Sequence, residues 1–234
     1  MTKSARFVHQ YEELPSTQDE ARRLVEAGLA SDGHVILAER QTAGRGRFGR
    51  PWVSPKGGFY ATYICPKLDL PAIRFGMAAL RALEKLGIST QLKWPNDLLI
   101  GDRKLGGILI EEVRGLYLAG IGVNLEITPL PSATSVSDHG QRIDELELHA
   151  YILEGLVRGL MHGVLDDYRT YCATLGTRVR IERSLSEPPI EGLAVGIDDE
   201  GHLLVEIDGK TETISGGECV HLRTPKPEQE SEDH

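Results

Sequence analysis

Leu98-Leu99-Ile100, Gly101-Asp102-Arg103, Ile108-Leu109-Ile110, Gly115 and then residues 116–123 follow one another within residues 91–123. Each apolar run has strand length, and each break supplies residues that reverse a chain. The spacing therefore predicts an antiparallel meander. Upstream, residues 71–86 read as a helix opened by Pro71 and stopped by Gly87. Residues 59–64 read as a strand, and Val35-Ile36-Leu37-Ala38 as a short buried one. Thr17-Gln18-Asp19-Glu20 has capping-box spacing, and Ala21, Leu24, Val25 and Leu29 repeat on one helical face that ends near Gly28. Downstream, residues 128–135 form a Pro-containing loop. Over residues 146–168, Leu153, Leu156, Val157, Leu160, Met161, Val164 and Tyr168 share one face of a single amphipathic packing helix.

Beyond Gly176 the pattern changes. Val179-Arg180-Ile181 and residues 193–197, 203–207 and 211–214 are short strands, punctuated by Asp198-Asp199-Glu200-Gly201 and Asp208-Gly209-Lys210. Such close-set strands predict a small β-barrel satellite. The polar, acidic tail over residues 225–234 is expected to be disordered.

With 234 residues, 40% apolar and 26% charged, the chain has the composition of a globular protein able to bury one core plus a small satellite. No apolar run approaches the roughly 20 residues that span a bilayer, and no secretory signal is visible at the N-terminus. The three cysteines, Cys65, Cys172 and Cys219, are odd in number and widely spaced, so buried or half-buried thiols are expected. The eight His show no metal-ligand spacing, so no metal held by protein side chains is expected. These features point to a cytoplasmic protein.

The formal charge is −9, yet residues 40–68 contain no Asp or Glu and hold Arg40, Arg45, Arg47, Arg50, Lys56 and Lys67. At their centre lies Gly44-Arg45-Gly46-Arg47-Phe48-Gly49-Arg50. A Gly-rich loop can turn backbone N–H groups toward an anion, and arginines on it can clamp that anion with forked hydrogen bonds. A cationic patch on an acidic chain suits a phosphorylated small molecule better than a nucleic acid.

Four clusters stand in order. They are Gly44-Arg45-Gly46-Arg47 with Gly49-Arg50, Trp52, Ser54-Pro55 and Gly57-Gly58; Lys93-Trp94-Pro95-Asn96-Asp97; Lys104-Leu105-Gly106-Gly107-Ile108-Leu109 with Glu111; and Gly120-Ile121-Gly122-Val123-Asn124. Together they resemble the biotin–protein ligases, of the single-function kind without an N-terminal DNA-binding domain. The resemblance runs from about Leu14 to Arg223. It implies an α/β (α+β) fold: a mixed β-sheet flanked by helices, like a class II synthetase, with a small C-terminal SH3-like barrel. The implied boundaries are a catalytic domain over residues 1–172, the SH3-like domain over 177–223 and the tail over 224–234.

The activity this resemblance implies has two steps. Biotin's carboxylate attacks the α-phosphate of ATP, giving biotinyl-5′-adenylate and pyrophosphate. A lysine of a biotin carboxyl carrier protein then takes the biotinyl group as an amide, releasing AMP. The residues suit that chemistry. Two anions brought to ~4 Å repel by about 4 kcal/mol at an effective dielectric near 20. Arg45, Arg47 and Lys104, with Mg²⁺ on the phosphates, would remove that penalty.

By resemblance, Ser16, Thr17, Gln18 and Gln41 contact the biotin ureido ring, whose two N–H donors and one carbonyl suit hydroxyl and amide side chains. Arg45-Gly46-Arg47 matches the loop that closes over biotin and the adenylate. Lys104 matches the lysine touching the biotin carboxylate and the α-phosphate. Trp52 and Asn124 match the nucleotide-holding part. An acceptor lysine is neutral in only about one part in 2,500 at pH 7, so a group that takes its proton helps. Asp97 is the candidate, with an orienting contact as the alternative.

Pro15, Gln18 and Glu126 depart from residues common in the family. No specific DNA binding is expected, and the oligomeric state stays open between a monomer and the sheet-edge homodimer found in the family. The rival readings are a lipoate or octanoate ligase of the same superfamily and a non-enzymatic sensor of biotin or nucleotide.

Overall fold

The computed structural model describes residues 7–159, 163–183 and 187–222. The larger unit contains β1 (Val8–Leu14), α1 (Thr17–Glu26), β2 (Val35–Gln41), β3 (Gly58–Pro66), α2 (Pro71–Lys85), β4 (Gln91–Lys93), β5 (Asp97–Ile100), β6 (Arg103–Val113), β7 (Leu116–Asn124), α3 (Glu145–Gly159) and α4 (Val164–Tyr171). Its strands form one seven-stranded sheet in the order β1-β2-β3-β7-β6-β5-β4. β1 and β2 run parallel, joined through α1, and every other pair is antiparallel. The expected meander is β7-β6-β5-β4.

Alternation along the strands sends side chains to two cores. Ile36, Ile64, Val113 and Leu118 pack under Ala21, Leu24 and Val25 of α1. Their neighbours Val35, Leu37, Tyr63 and Ala119 join the larger core, with Ile73 and Leu80 of α2, Leu148 and Ile152 of α3, and Tyr168 of α4. The sheet is thus covered on both faces.

Three details differ from the sequence reading. The helix cap is Ser16 and not Thr17, with the Asp19 amide donating to Ser16 Oγ at 3.4 Å. That leaves the Thr17 hydroxyl to face the sheet. The single helix expected over residues 146–168 is two helices, because Gly163 adopts φ +64°, which an α-helix does not contain. Leu160 and Met161 lie outside the described residues. The half-exposed edge strand β1 lacks the apolar alternation that identifies a strand, and the sequence reading does not predict it.

β8 (Arg178–Glu182), β9 (Ile190–Ile197), β10 (Leu203–Ile207), β11 (Lys210–Ile214) and β12 (Glu218–His221) form a five-stranded antiparallel sheet in the order β11-β10-β9-β8-β12. Four of these strands match the predicted runs. The fifth, β12, lies in the segment recognised only through the family's closing sequence. The two sheets are stitched together around Trp94: its backbone N–H donates to Thr174 Oγ1 and its indole Nε1 to the Gly201 carbonyl, both at 3.0 Å. Cys172 and Cys219 are buried and Cys65 is half-buried. Burial pushes the Cys65 thiol up to about 11 and the Cys219 thiol up to about 12. Among the described residues no helix is long and apolar enough to cross a membrane. The predicted acidic tail lies outside the described residues.

Candidate active site

A cavity of about 250 Å³ opens on the α1 face of the large sheet. Its neutral end is built where α1 begins and β2 ends. The Thr17 backbone N–H donates to Gln41 Oε1 at 2.8 Å, and Gln41 Nε2 donates to Ser54 Oγ at 2.9 Å. Thr62 Oγ1, in the middle of β3, lies 2.9 Å from Thr17 Oγ1 and 3.0 Å from Gln18 Oε1. Gln18 Nε2 donates to the Leu118 carbonyl at 3.0 Å. Ser16, Thr17, Gln18 and Thr62 are all nearly inaccessible to solvent. Polar groups buried this deeply keep fixed orientations because each is hydrogen-bonded.

The floor is β7, and it must be flat. A Cβ on Gly120 would sit 2.8 Å from Gln18 Oε1, and one on Gly122 2.6 Å from Trp52 Nε1. Glycine at these two positions lets the amide and the indole lie directly on the strand.

The other end is cationic. Lys104 Nζ pairs with Asp97 Oδ1 at 2.6 Å and lies 5.4 Å from the Trp52 ring centroid. Arg45 is held at 2.7 Å by Asp19 Oδ1 and at 2.5 Å by Glu111 Oε1, so it carries two carboxylates. These bonds hold its guanidinium above its usual range and the Glu111 carboxyl below the usual carboxylate range. Arg47 Nη1 lies 3.2 Å from Asn96 Oδ1 and 3.1 Å from the Gly217 carbonyl. Arg47 has no carboxylate partner among the described residues, and burial lowers its pKa. Arg50 forms a close ion pair with Glu218 of β12.

The profile of the Biotin/lipoate A/B protein ligase family matches residues 12–127, and that of the Biotin protein ligase C terminal domain matches residues 174–222. The chain is 34% identical over 221 residues to the biotin–[acetyl-CoA-carboxylase] ligase of Mycobacterium tuberculosis, covering 84% of this chain and 82% of that protein. The chain belongs to the biotin protein ligase family. It is also 35% identical over 222 residues to the bifunctional ligase/repressor BirA of Bacillus subtilis, covering 82% of this chain and 67% of that one. Among solved structures it resembles the biotin protein ligase from Aquifex aeolicus in complex with biotin and ATP. There the TM-score is 0.81 and the identity 28%, over 94% of this chain and 100% of that one. The mixed α/β fold with a C-terminal antiparallel sheet is thus the fold of biotin protein ligases.

The cavity wall includes Ser16, Thr17, Gln18, Gln41, Arg45, Gly46, Arg47, Trp52, Asp97 and Lys104, so the structure gathers nearly all of the sequence candidates. Asn124 is the exception. It is buried off the wall, where its Nδ2 donates to the Thr134 carbonyl at 3.0 Å. Thr134 in turn donates its backbone N–H to the Lys104 carbonyl at 2.9 Å, so Asn124 braces the loop beside Lys104.

The sequence reading also leaves the Arg-Gly loop without counter-charge, and the fold corrects this. Asp19, Glu111 and Glu218 come from elements 26, 66 and 168 residues away. Lys93, Asn96, Glu218 and Cys219 on the wall, and Thr62 behind it, are residues that the reading does not assign. Lys93 and Asn96 stand inside a quoted motif, while Thr62 looks like any strand threonine.

One other His/Asp/Glu group occurs among the described residues, Asp198, Glu200 and His202 at the β9–β10 turn. There Asp198 Oδ1 accepts from the backbone N–H groups of Glu200 and His202, which accounts for the cluster as a turn.

Proposed function

We infer that this chain is an ATP-dependent biotin–protein ligase that makes biotinyl-5′-adenylate and passes the biotinyl group to a lysine of a biotin carboxyl carrier protein. The observation that carries this reading is one cavity with a neutral hydrogen-bonding end and a cationic end. Ser16, Thr17, Gln18 and Gln41 offer the hydroxyls and amides that a cyclic urea needs, with Thr62 behind them bonded to Thr17 and Gln18. Lys104 and Arg47, on the same wall, supply the positive charge that a carboxylate and an α-phosphate need in order to approach each other.

Biotin enters with its ureido ring at the neutral end and its carboxylate toward Lys104. ATP is taken as its Mg²⁺ complex, the metal travelling with the nucleotide. The carboxylate oxygen attacks the α-phosphorus, and the bond to the bridging oxygen breaks with its electron pair leaving on pyrophosphate. Lys104 and Arg47 offset the mutual repulsion of the two anions. Arg45 joins them by exchanging a carboxylate of Glu111 or Asp19 for substrate oxygens, closing the Gly44–Gly46 segment over the product. Trp52 supplies an apolar, polarisable surface beside the nucleotide, and Asn124 acts through the loop it braces.

In the second step the acceptor amine attacks the acyl carbon of the mixed anhydride and AMP leaves. Asp97, on the cavity wall, takes or orients the amine proton. No protein nucleophile is required.

We take the domain division expected above, a catalytic domain over 1–172 and an SH3-like domain over 177–223, a reading supported by Glu218 and Cys219 reaching the cavity wall. The protein works in the cytoplasm, as monomer or sheet-edge homodimer. A charge of −9 makes specific DNA binding unfavourable. The test is ATP- and Mg²⁺-dependent biotin transfer to a purified carrier domain by wild type, Arg45→Ala and Lys104→Ala. Labelling by wild type and its loss in both variants is expected. If wild type labels nothing, the ligase reading fails. A larger thermal shift with lipoate than with biotin would favour the lipoate ligase.

A further inference from the structure

Lys93 closes β4 inside the Lys93-Trp94-Pro95-Asn96-Asp97 stretch and is half-buried on the cavity wall. Of the wall's cations, Arg45, Arg50 and Lys104 each carry a carboxylate partner, and Arg47 is bonded to an amide and a carbonyl. Lys93 makes no ion pair among the described residues. It stands opposite Asp97 across the β4–β5 hairpin, so its backbone is tied to the strand that bears Lys104's partner. The next residue, Trp94, donates its backbone N–H to Thr174 Oγ1, which lies 3.0 Å from His221 Nε2 of β12, and Cys219 of β12 shares the cavity wall with Lys93, so Lys93 stands at the C-terminal-sheet side of the cavity. The hydroxyls and amides of the neutral end lie on the opposite side, where α1 begins. A half-buried cation without an ion pair has lost part of its hydration without a direct carboxylate contact to replace it. It is therefore poised to take an anion.

We propose that Lys93 binds the β- and γ-phosphates of ATP and stabilises the departing pyrophosphate in the adenylation step. The inference rests on the proposed function, since it needs an ATP-consuming first step in this cavity. With the biotin carboxylate and the α-phosphate at Lys104, the polyphosphate tail extends away from the neutral end, toward β12. Bond cleavage moves an electron pair onto the bridging oxygen and concentrates negative charge on pyrophosphate. Carboxylate and ATP become mixed anhydride and pyrophosphate with no change in total charge, so no proton or further reactant is required. A fixed ammonium aimed at that developing charge lowers the barrier more than it tightens ground-state binding. The second step involves no pyrophosphate, so Lys93 has no part in it.

The two half-reactions separate this role from a structural one. Lys93→Ala and Lys93→Arg are compared with wild type in ATP-dependent pyrophosphate release, in inhibition by added pyrophosphate, and in transfer from supplied biotinyl-5′-adenylate to a carrier domain. Lys93→Ala is expected to slow adenylation about 10- to 100-fold and to weaken pyrophosphate inhibition. Transfer from the supplied adenylate stays within about twofold of wild type, and Lys93→Arg recovers part of the adenylation loss. Equal losses in both half-reactions, or wild-type pyrophosphate inhibition in Lys93→Ala, would overturn the assignment while leaving the ligase reading intact. A wild type that releases no pyrophosphate would overturn both.

Discussion

Replacing Gly122 with alanine probes whether Trp52 is truly seated on the cavity floor. The added Cβ would lie 2.6 Å from Trp52 Nε1, 2.8 Å from Cε2 and 3.0 Å from Cζ2. Non-bonded carbons meet comfortably at about 3.5 Å, so the ring must rise from the strand by roughly 1 Å. The Trp52 backbone cannot follow freely, because its N–H donates to the Gly44 carbonyl at 2.8 Å and its carbonyl accepts from Ser54 Oγ at 3.0 Å. The indole must therefore tip about its own side-chain bonds.

Two terms oppose each other. Overpacking of this kind costs about 1–3 kcal/mol. Trp52 Nε1 is buried without a hydrogen-bond partner, and lifting it toward solvent returns part of a desolvation cost of about 1–3 kcal/mol. The net loss of stability should therefore be small, near 1 kcal/mol. A nucleotide that packs on the ring must instead push it back onto the methyl group and meets the strain in full. The expected outcome is a modest shift in urea midpoint together with a KM for ATP raised about tenfold, equivalent to about 1.4 kcal/mol. Tryptophan emission reports the displacement directly, because the chain has only two tryptophans and Trp94 is 2% exposed. Wild-type emission, KM and stability in Gly122→Ala would refute the placement of the indole.

Two pH dependences follow from groups around the site and the helix behind it. The Glu111 carboxyl is held below its ordinary range chiefly by its bonds to Arg45, so its stabilisation is present above the unfolded carboxylate pKa. It is lost as pH falls through the lowered folded value. Wild type should lose about 1–2 kcal/mol more than Glu111→Gln on acidification from pH 6 to pH 3, read by urea unfolding. Parallel curves would mean that the pair contributes nothing. Glu145, at the start of α3, has the opposite sign: burial, then Glu39, Asp144 and Glu126, push its carboxyl up to about 7. Ionisation in the unfolded chain therefore erodes stability as pH rises from about 4.5 to about 7, by at most about 3 kcal/mol. Glu145→Gln should flatten that slope and gain stability at pH 8, and a variant as pH-sensitive as wild type would contradict it.

What could be read from the chain before folding, and what could not, divides along contact range. The meander β7-β6-β5-β4 was legible because its apolar runs and turns are neighbours in sequence, and α2 because Pro71 and Gly87 bracket it. The motif residues were legible as a set, since Ser16, Gln41, Arg47, Asp97 and Lys104 all line one cavity. Their electrical environment was not. A stretch of 29 residues without an acid looks like an open cationic surface, yet four of its six cations, Arg40, Arg45, Arg50 and Lys56, are neutralised by Glu13, by Asp19 and Glu111, by Glu218 and by Glu39. Lys67 finds Glu112 in the same way, which leaves Arg47 alone of the six without a carboxylate among the described residues. The stretch's positive charge is therefore largely met by ion pairs and is not a surface open to any anion. Repulsion by carboxylates such as Glu111 and Asp97 would work against a poorly placed polyanion, whereas one reaching Arg47, Lys93 and Lys104 together can displace them. Selectivity for the nucleotide would then arise from tertiary acids that no reading of the Arg-Gly loop alone could supply.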